Sequence, residues 1–135
     1  MSVKREIIST ENAPAVVGPY SQAIRVGDFI YTAGQIALVP GTGKLVEGGI
    51  EAQTRQVMQN LARVLEAAGS SLAHVVKTTI FVTNLADFAT INKVYGSFFT
   101  SDPPARSTVQ VAALPLGANV EIEAVAIAIA RDSAA

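Results

Sequence analysis

Residues 103–130 read PPARSTVQVAALPLGANVEIEAVAIAIA, two strand-like runs joined by a Pro-Leu-Gly turn at 115–117. The first run, RSTVQV from Arg106 to Val111, alternates well enough for a strand. The second opens on Glu121 and Glu123 and then turns wholly apolar. Side chains alternate along a strand, so Val120, Ile122, Ala124, Ala126 and Ala128 share one face. Glu121, Glu123, Val125, Ile127 and Ile129 share the other. Beyond Glu123 both faces are apolar, and a strand buried on both faces needs cover on both. Two strands joined by a short loop can lie side by side, which on this reading brings Arg106 and Glu121 close. A cation facing a carboxylate in an apolar setting is a site candidate.

Upstream, Pro103 and Pro104 stop a helix whose apolar stripe is Phe88, Ile91, Tyr95, Phe98 and Phe99, with Asn84 and Asp87 as its capping pair. Before it, Val75 to Thr83 is dense in β-branched residues and reads as a strand with Val76, Thr78, Ile80 and Val82 on one face. From Ile50 to Ala68, Val57, Leu61, Val64, Leu65 and Ala68 recur at helical spacing, and Gly69 suits the residue just past the C-terminus. Pro40, Gly41, Gly43, Gly48 and Gly49 make a long loop. Ala23–Val26 and Phe29–Gly34 flank Gly27-Asp28 as a hairpin, and Arg5–Ser9 forms a short first strand. An irregular loop marked by Asn12, Pro14, Gly18 and Pro19 connects them and ends at Tyr20-Ser21. The order βββαβαββ predicts a single α+β domain over residues 1–135, a six-stranded mixed sheet with two helices packed on one face. Two helices cover one side of such a sheet, so the other side calls for a second subunit and a closed homo-oligomer.

The totals exclude several chemistries. Ten basic and eleven acidic residues leave a formal charge of −1, and no block of like charge gathers, so nothing resembles a footprint for nucleic acid. Cysteine is absent, which removes disulfides and thiolate nucleophiles. His74 is the only histidine and reads as a surface residue after a helix; without cysteine or suitably spaced acids, no metal site is expected. No Gly-x-Ser-x-Gly elbow accompanies His74, and GTGK at 41–44 lacks the glycine spacing and following hydroxyl of a phosphate loop. No run reaches membrane-spanning length and residues 1–10 lack a signal-peptide core, so a cytoplasmic protein is expected.

Arginine's planar fork binds carboxylates through two parallel bonds, so Arg106 suits a small anionic substrate, and Glu121 is placed to position or deprotonate water. The same residues also read as a solvated strand residue and, with Glu123, as a polar strand end; spacing does not separate the two. Asn92, one residue off the aromatic stripe, reads as surface or as pointing into a cleft.

The segments NAPA at 12–15, GPYSQ at 18–22, GQI at 34–36, VKTT at 76–79, PARS at 104–107, VAALP at 111–115 and EIEA at 121–124 are similar to those of the RidA/YjgF family of reactive intermediate deaminases. They run nearly the whole chain in order. The resemblance implies a chorismate-mutase-like fold and a homotrimer with its sites in clefts between subunits. It implies hydrolysis of reactive enamines and imines such as 2-aminoacrylate to a 2-keto acid and ammonia, with no cofactor. On that likeness Arg106 holds the carboxylate of the imine substrate, Glu121 orients or activates water, and Tyr20 and Asn92 complete the pocket, with Gly34 at its rim. Ala33 stands where family members often carry serine, so any hydroxyl contact there is absent. Thr108 stands where some carry cysteine, and only backbone contacts transfer. The same family has been linked to ribonuclease, translation-inhibiting and chaperone-like activities, which the resemblance leaves as alternatives.

Overall fold

Val57, Met58, Leu61, Val64 and Leu65 are fully buried along one stripe of helix α1 (Ile50–Ala67), each contributing about 1.5–3 kcal/mol relative to exposure. Gly69, at φ +82°, follows the helix in the left-handed conformation and ends it. Residues 4–129 are described by this computed structural model. The stripe packs on a six-stranded sheet in the order β1-β2-β3-β8-β6-β7. Its members are β1 (Arg5–Ile8), β2 (Ala23–Val26), β3 (Phe29–Thr32), β6 (Val75–Val82), β7 (Ala105–Gln110) and β8 (Val120–Ile127). All neighbours are antiparallel except β6 and β7, which run parallel and are joined through helix α2 (Phe88–Ser97). The sheet is therefore mixed, as the element order predicts.

The two faces of the sheet differ. Ile30, Ile80, Val82, Val120, Ile122 and Ala126 point to the helices and are fully buried. On the opposite face Ile7, Phe29, Tyr31, Val109 and Ile127 stay 42–68% exposed. The expected alternation of β8 holds through Ile127; Ala130, the last residue of its apolar run, lies outside the described residues.

Four sequence readings need correction. Strands β7 and β8 do not lie side by side: β6 pairs with both and runs between them. The connection between them, residues 111–119, is long enough to step over one strand, and β6 offers β8 a long antiparallel partner. Val76 does not share the face of Thr78, because the register slips between Val75 and Lys77 and Val75 takes the buried position instead. The long loop around Pro40 contains a small hairpin, β4 (Leu38–Val39) with β5 (Lys44–Leu45), turned through Gly41 and Gly43 at positive φ. Asn84 caps a 3₁₀ turn, Leu85–Asp87, by accepting from the Ala86 N–H at 2.9 Å, and α2 starts only at Phe88.

Of the α2 stripe, Ile91 and Tyr95 are buried with Val94, while Phe88 is 40% exposed. Phe98 and Phe99 are partly buried against the core, and the Tyr95 and Phe99 ring centroids are 4.9 Å apart. Among the described residues, no helix is long and apolar enough to cross a membrane.

Candidate active site

The sequence-predicted site residues fall into two groups that one chain keeps apart. Arg106 is level with Thr78 on β6 and Ala124 on β8, both buried under the helices, so it belongs to the helix-covered face. Glu121 is level with Phe81, on the opposite face. Two strand spacings, about 10 Å, and the thickness of the sheet separate them. The pairing of Arg106 with Glu121 inside one chain is thus overturned, since residues of odd offset across a register point to opposite faces.

Glu121 belongs to the first group. A cavity of about 640 Å3 is lined by Tyr20, Ala33, Gly34, Leu116 and Glu121, among others, and is mostly apolar. Local chemistry builds each wall. The Gln35 N–H donates to the Ile122 carbonyl at 2.8 Å and the Ile122 N–H returns a bond at 3.1 Å, which sets Gly34 against the Glu121 side chain. A methyl group at position 34 would meet Glu121 Oε1 at 2.5 Å, so only glycine lets the carboxylate rest there. The amide of Gln22 ties down the loop before Tyr20, donating to the carbonyls of Pro14 (2.8 Å) and Thr10 (3.0 Å) and accepting from the Thr10 N–H (2.7 Å). Tyr20 Oη accepts from the Val17 N–H at 3.3 Å. Leu116, at φ +58° in the Pro115–Gly117 turn, presents an exposed side chain to the cavity. Burial holds the Glu121 carboxyl above the ordinary carboxylate range, and the negative charge of Glu123 adds to the rise.

The second group lies at the sheet edge where α2 crosses β7. Phe88, Asn92 and Tyr95 stand four and three residues apart and so share one helix face. The Arg106 guanidinium lies over two of these, 5.4 Å from the Phe88 ring centroid and 5.1 Å from that of Tyr95. Thr108, two residues on along β7, is on the same face. Asn92 Oδ1 and Thr108 Oγ1 are, among the described residues, the buried side-chain oxygens with no hydrogen-bond partner. Such groups are costly unless something satisfies them, and both flank an arginine. Tyr95 Oη shares a 2.7 Å hydrogen bond with Thr78 Oγ1, and burial pushes its phenol up despite that bond and the Arg106 charge. It stays neutral and offers Arg106 a ring face rather than an anion.

Several positioning residues escape a motif search. Asn60, in the buried stripe of α1, donates to the carbonyls of Ile36 (3.2 Å) and Leu38 (2.8 Å), behind the cavity wall. Gln53 exchanges two 2.9 Å bonds with Asn119, fixing the entry to β8 just before Glu121. Their signal is legible afterwards: polar residues on an otherwise apolar helical stripe. Among the described residues His74 bonds only locally, to Ser71 Oγ at 2.8 Å, on an exposed turn, as the surface reading expects.

The sequence has clear relatives. A family model described as Endoribonuclease L-PSP matches residues 10–128. The chain is 51% identical over 125 residues to the Reactive Intermediate Deaminase A, chloroplastic, of Arabidopsis thaliana, spanning 93% of this chain and 67% of that protein. It is 48% identical over 126 residues to the 2-iminobutanoate/2-iminopropanoate deaminase of Mus musculus, spanning 93% of each. The crystal structure of the YJGF gene product from E. coli superposes with a TM-score of 0.87 at 47% identity, covering 90% of this chain and 98% of that one.

Proposed function

The chain belongs to the Endoribonuclease L-PSP family, the RidA/YjgF family of its sequence resemblance, and from that premise we propose that it is a hydrolytic deaminase of reactive enamines and imines. The substrate is a small carboxylate-bearing imine such as that of 2-aminoacrylate, and the products are a 2-keto acid and ammonia. The observation that carries this reading is the pair of half-sites: a partly buried carboxylate in an apolar cavity and an arginine flanked by two unsatisfied buried oxygens. Neither half is sufficient alone, and one chain cannot join them. They meet when a second copy brings its β7 edge to the cavity, in the homotrimer that the resemblance implies. The exposed apolar face formed by Phe29, Tyr31, Val109 and Ile127 supports such an assembly.

In the joined site Arg106 takes the substrate carboxylate in its fork, with Thr108 Oγ1 donating to the same group. Asn92 Oδ1 accepts from the iminium N–H. The protonated imine carbon is electrophilic, and water attacks it as Glu121 removes the water proton. The new C–O bond gives a carbinolamine; Glu121 passes its proton to the amine, and as the C–N bond breaks and ammonia leaves, Glu121 takes back the hydroxyl proton and the carbonyl forms. A carboxyl whose proton affinity is raised by burial suits both directions of this transfer. The reading includes no cofactor and a cytoplasmic setting.

The family description names an endoribonuclease, a reading that asks for many cations along a phosphate backbone. A formal charge of −1 with no basic run favours the imine instead. The test generates imines in situ from a panel of amino acids with an oxidase or dehydratase and follows keto-acid release. We expect acceleration by the native chain, loss of turnover in Arg106→Ala, and a kcat about a hundredfold lower or worse in Glu121→Gln with carboxylate binding retained. Unaltered turnover in Arg106→Ala overturns the assignment.

A further inference from the structure

We infer that Phe88 and Tyr95 are positioning residues, an aromatic platform that holds the Arg106 guanidinium in place while leaving all its N–H donors to the substrate; this rests on the reading of Arg106 as the carboxylate-binding group. Among the described residues the Arg106 guanidinium makes no ion pair and no hydrogen bond, so nothing polar fixes its side chain. Arginine has several rotatable bonds, and an unrestrained guanidinium loses that freedom each time a ligand binds. An acidic partner would fix it but would compete with the substrate carboxylate for the same fork. Two ring faces at 5.4 and 5.1 Å avoid that conflict, because they attract the cation without accepting its hydrogen bonds. The 2.7 Å bond between Tyr95 Oη and Thr78 Oγ1 anchors one ring to β6, the strand that pairs with β7 at Arg106 itself. Sheet register, phenol and guanidinium thereby form one connected support.

The two rings are not equally embedded. Tyr95 is 4% exposed and its ring also packs on Phe99, whereas Phe88 is 40% exposed and shields the outer side of the cation. Phe88→Leu therefore removes a ring at the surface without opening the core. Each ring is worth about two- to fivefold in ligand affinity on the scale of exposed cation–π contacts.

The experiment measures kcat and KM for an imine made in situ and, separately, the dissociation constant of 2-oxobutanoate by calorimetry. The variants are Phe88→Leu, Phe88→Tyr, Tyr95→Leu, Tyr95→Phe and Arg106→Ala. Phe88→Leu and Tyr95→Leu are expected to raise KM and weaken 2-oxobutanoate by about two- to fivefold each, with kcat within about twofold of native. Phe88→Tyr, which keeps the outer ring, restores both values, and Tyr95→Phe, which keeps a ring but loses its anchoring bond to Thr78, falls between native and Tyr95→Leu. Native affinity in Phe88→Leu, alongside lost affinity in Arg106→Ala, overturns the platform while sparing the carboxylate reading. Tyr95→Phe as damaging as Tyr95→Leu would assign the effect to the Thr78 bond and likewise overturn the platform. Unaltered affinity in Arg106→Ala sinks the underlying reading instead. Should Tyr95→Leu fail to fold, the Phe88 pair decides the question alone.

Discussion

Glu121 and Glu123 are two residues apart on β8 and point the same way, yet their surroundings give them different parts. Glu121 is partly buried and lines the cavity, while Glu123 is exposed, and its charge raises the proton affinity of Glu121. Like charges disfavour each other, so removing one makes the other easier to ionise. In the proposed mechanism Glu121 must be ionised to take a proton from water, so kcat/KM is expected to rise with pH as its carboxyl titrates, above the ordinary value of 4.5. Glu123→Gln is expected to move this acidic limb to lower pH and leave the plateau unchanged. A pH profile of kcat/KM checks it, and a limb that stays in place or moves upward contradicts the role given to Glu123. That role was invisible in the sequence, where the spacing put both acids on one face but could not say which of them a cavity would enclose. Arg106 was legible as a candidate, but the residues holding it were not: Phe88 and Tyr95 read as core, and only the path of α2 across β7 turns their faces to a cation.

At the scale of elements, α1 supports the cavity from behind. Asn60 is 1% exposed and holds two carbonyls of the 36–38 segment, on the far side of which Gly34 and Gln35 meet β8. Asn60→Ala leaves those carbonyls without their donor, at a cost of about 1–3 kcal/mol. We expect a lower urea midpoint at fixed protein concentration together with reduced kcat/KM; a loss confined to either one would separate the segment's packing from the site. Both helices, the first hairpin and the strand runs were legible because their apolar periods are long and their stops are Gly or Pro. The order of strands was not. Loop length suggested β7 beside β8, but β6 pairs with β8 over nearly its full length and with β7 in parallel, and this non-local pairing decides the sheet. The slip at Val76 escaped for a similar reason, since period-2 alternation cannot register one inserted residue.

For the whole molecule, the separation of the two half-sites ties the proposed chemistry to the proposed assembly. In the proposed homotrimer, a sheet face left apolar by two helices, a carboxylate in one cavity and an arginine at the far edge become parts of one arrangement. The apolar end of β8 calls for another subunit, and the strand order independently keeps the two half-sites of one chain apart. The most direct measurement is complementation between inactive variants. Arg106→Ala and Glu121→Gln chains, carrying different tags, are co-expressed, purified as mixed oligomers through both tags in turn, and assayed for keto-acid release from imines made in situ. In a mixed trimer one cleft of the three combines the intact cavity of one variant with the intact arginine edge of the other, so the doubly purified oligomers restore about a third of the native turnover. Mixed oligomers no more active than either variant alone would contradict a site built from two copies of the chain.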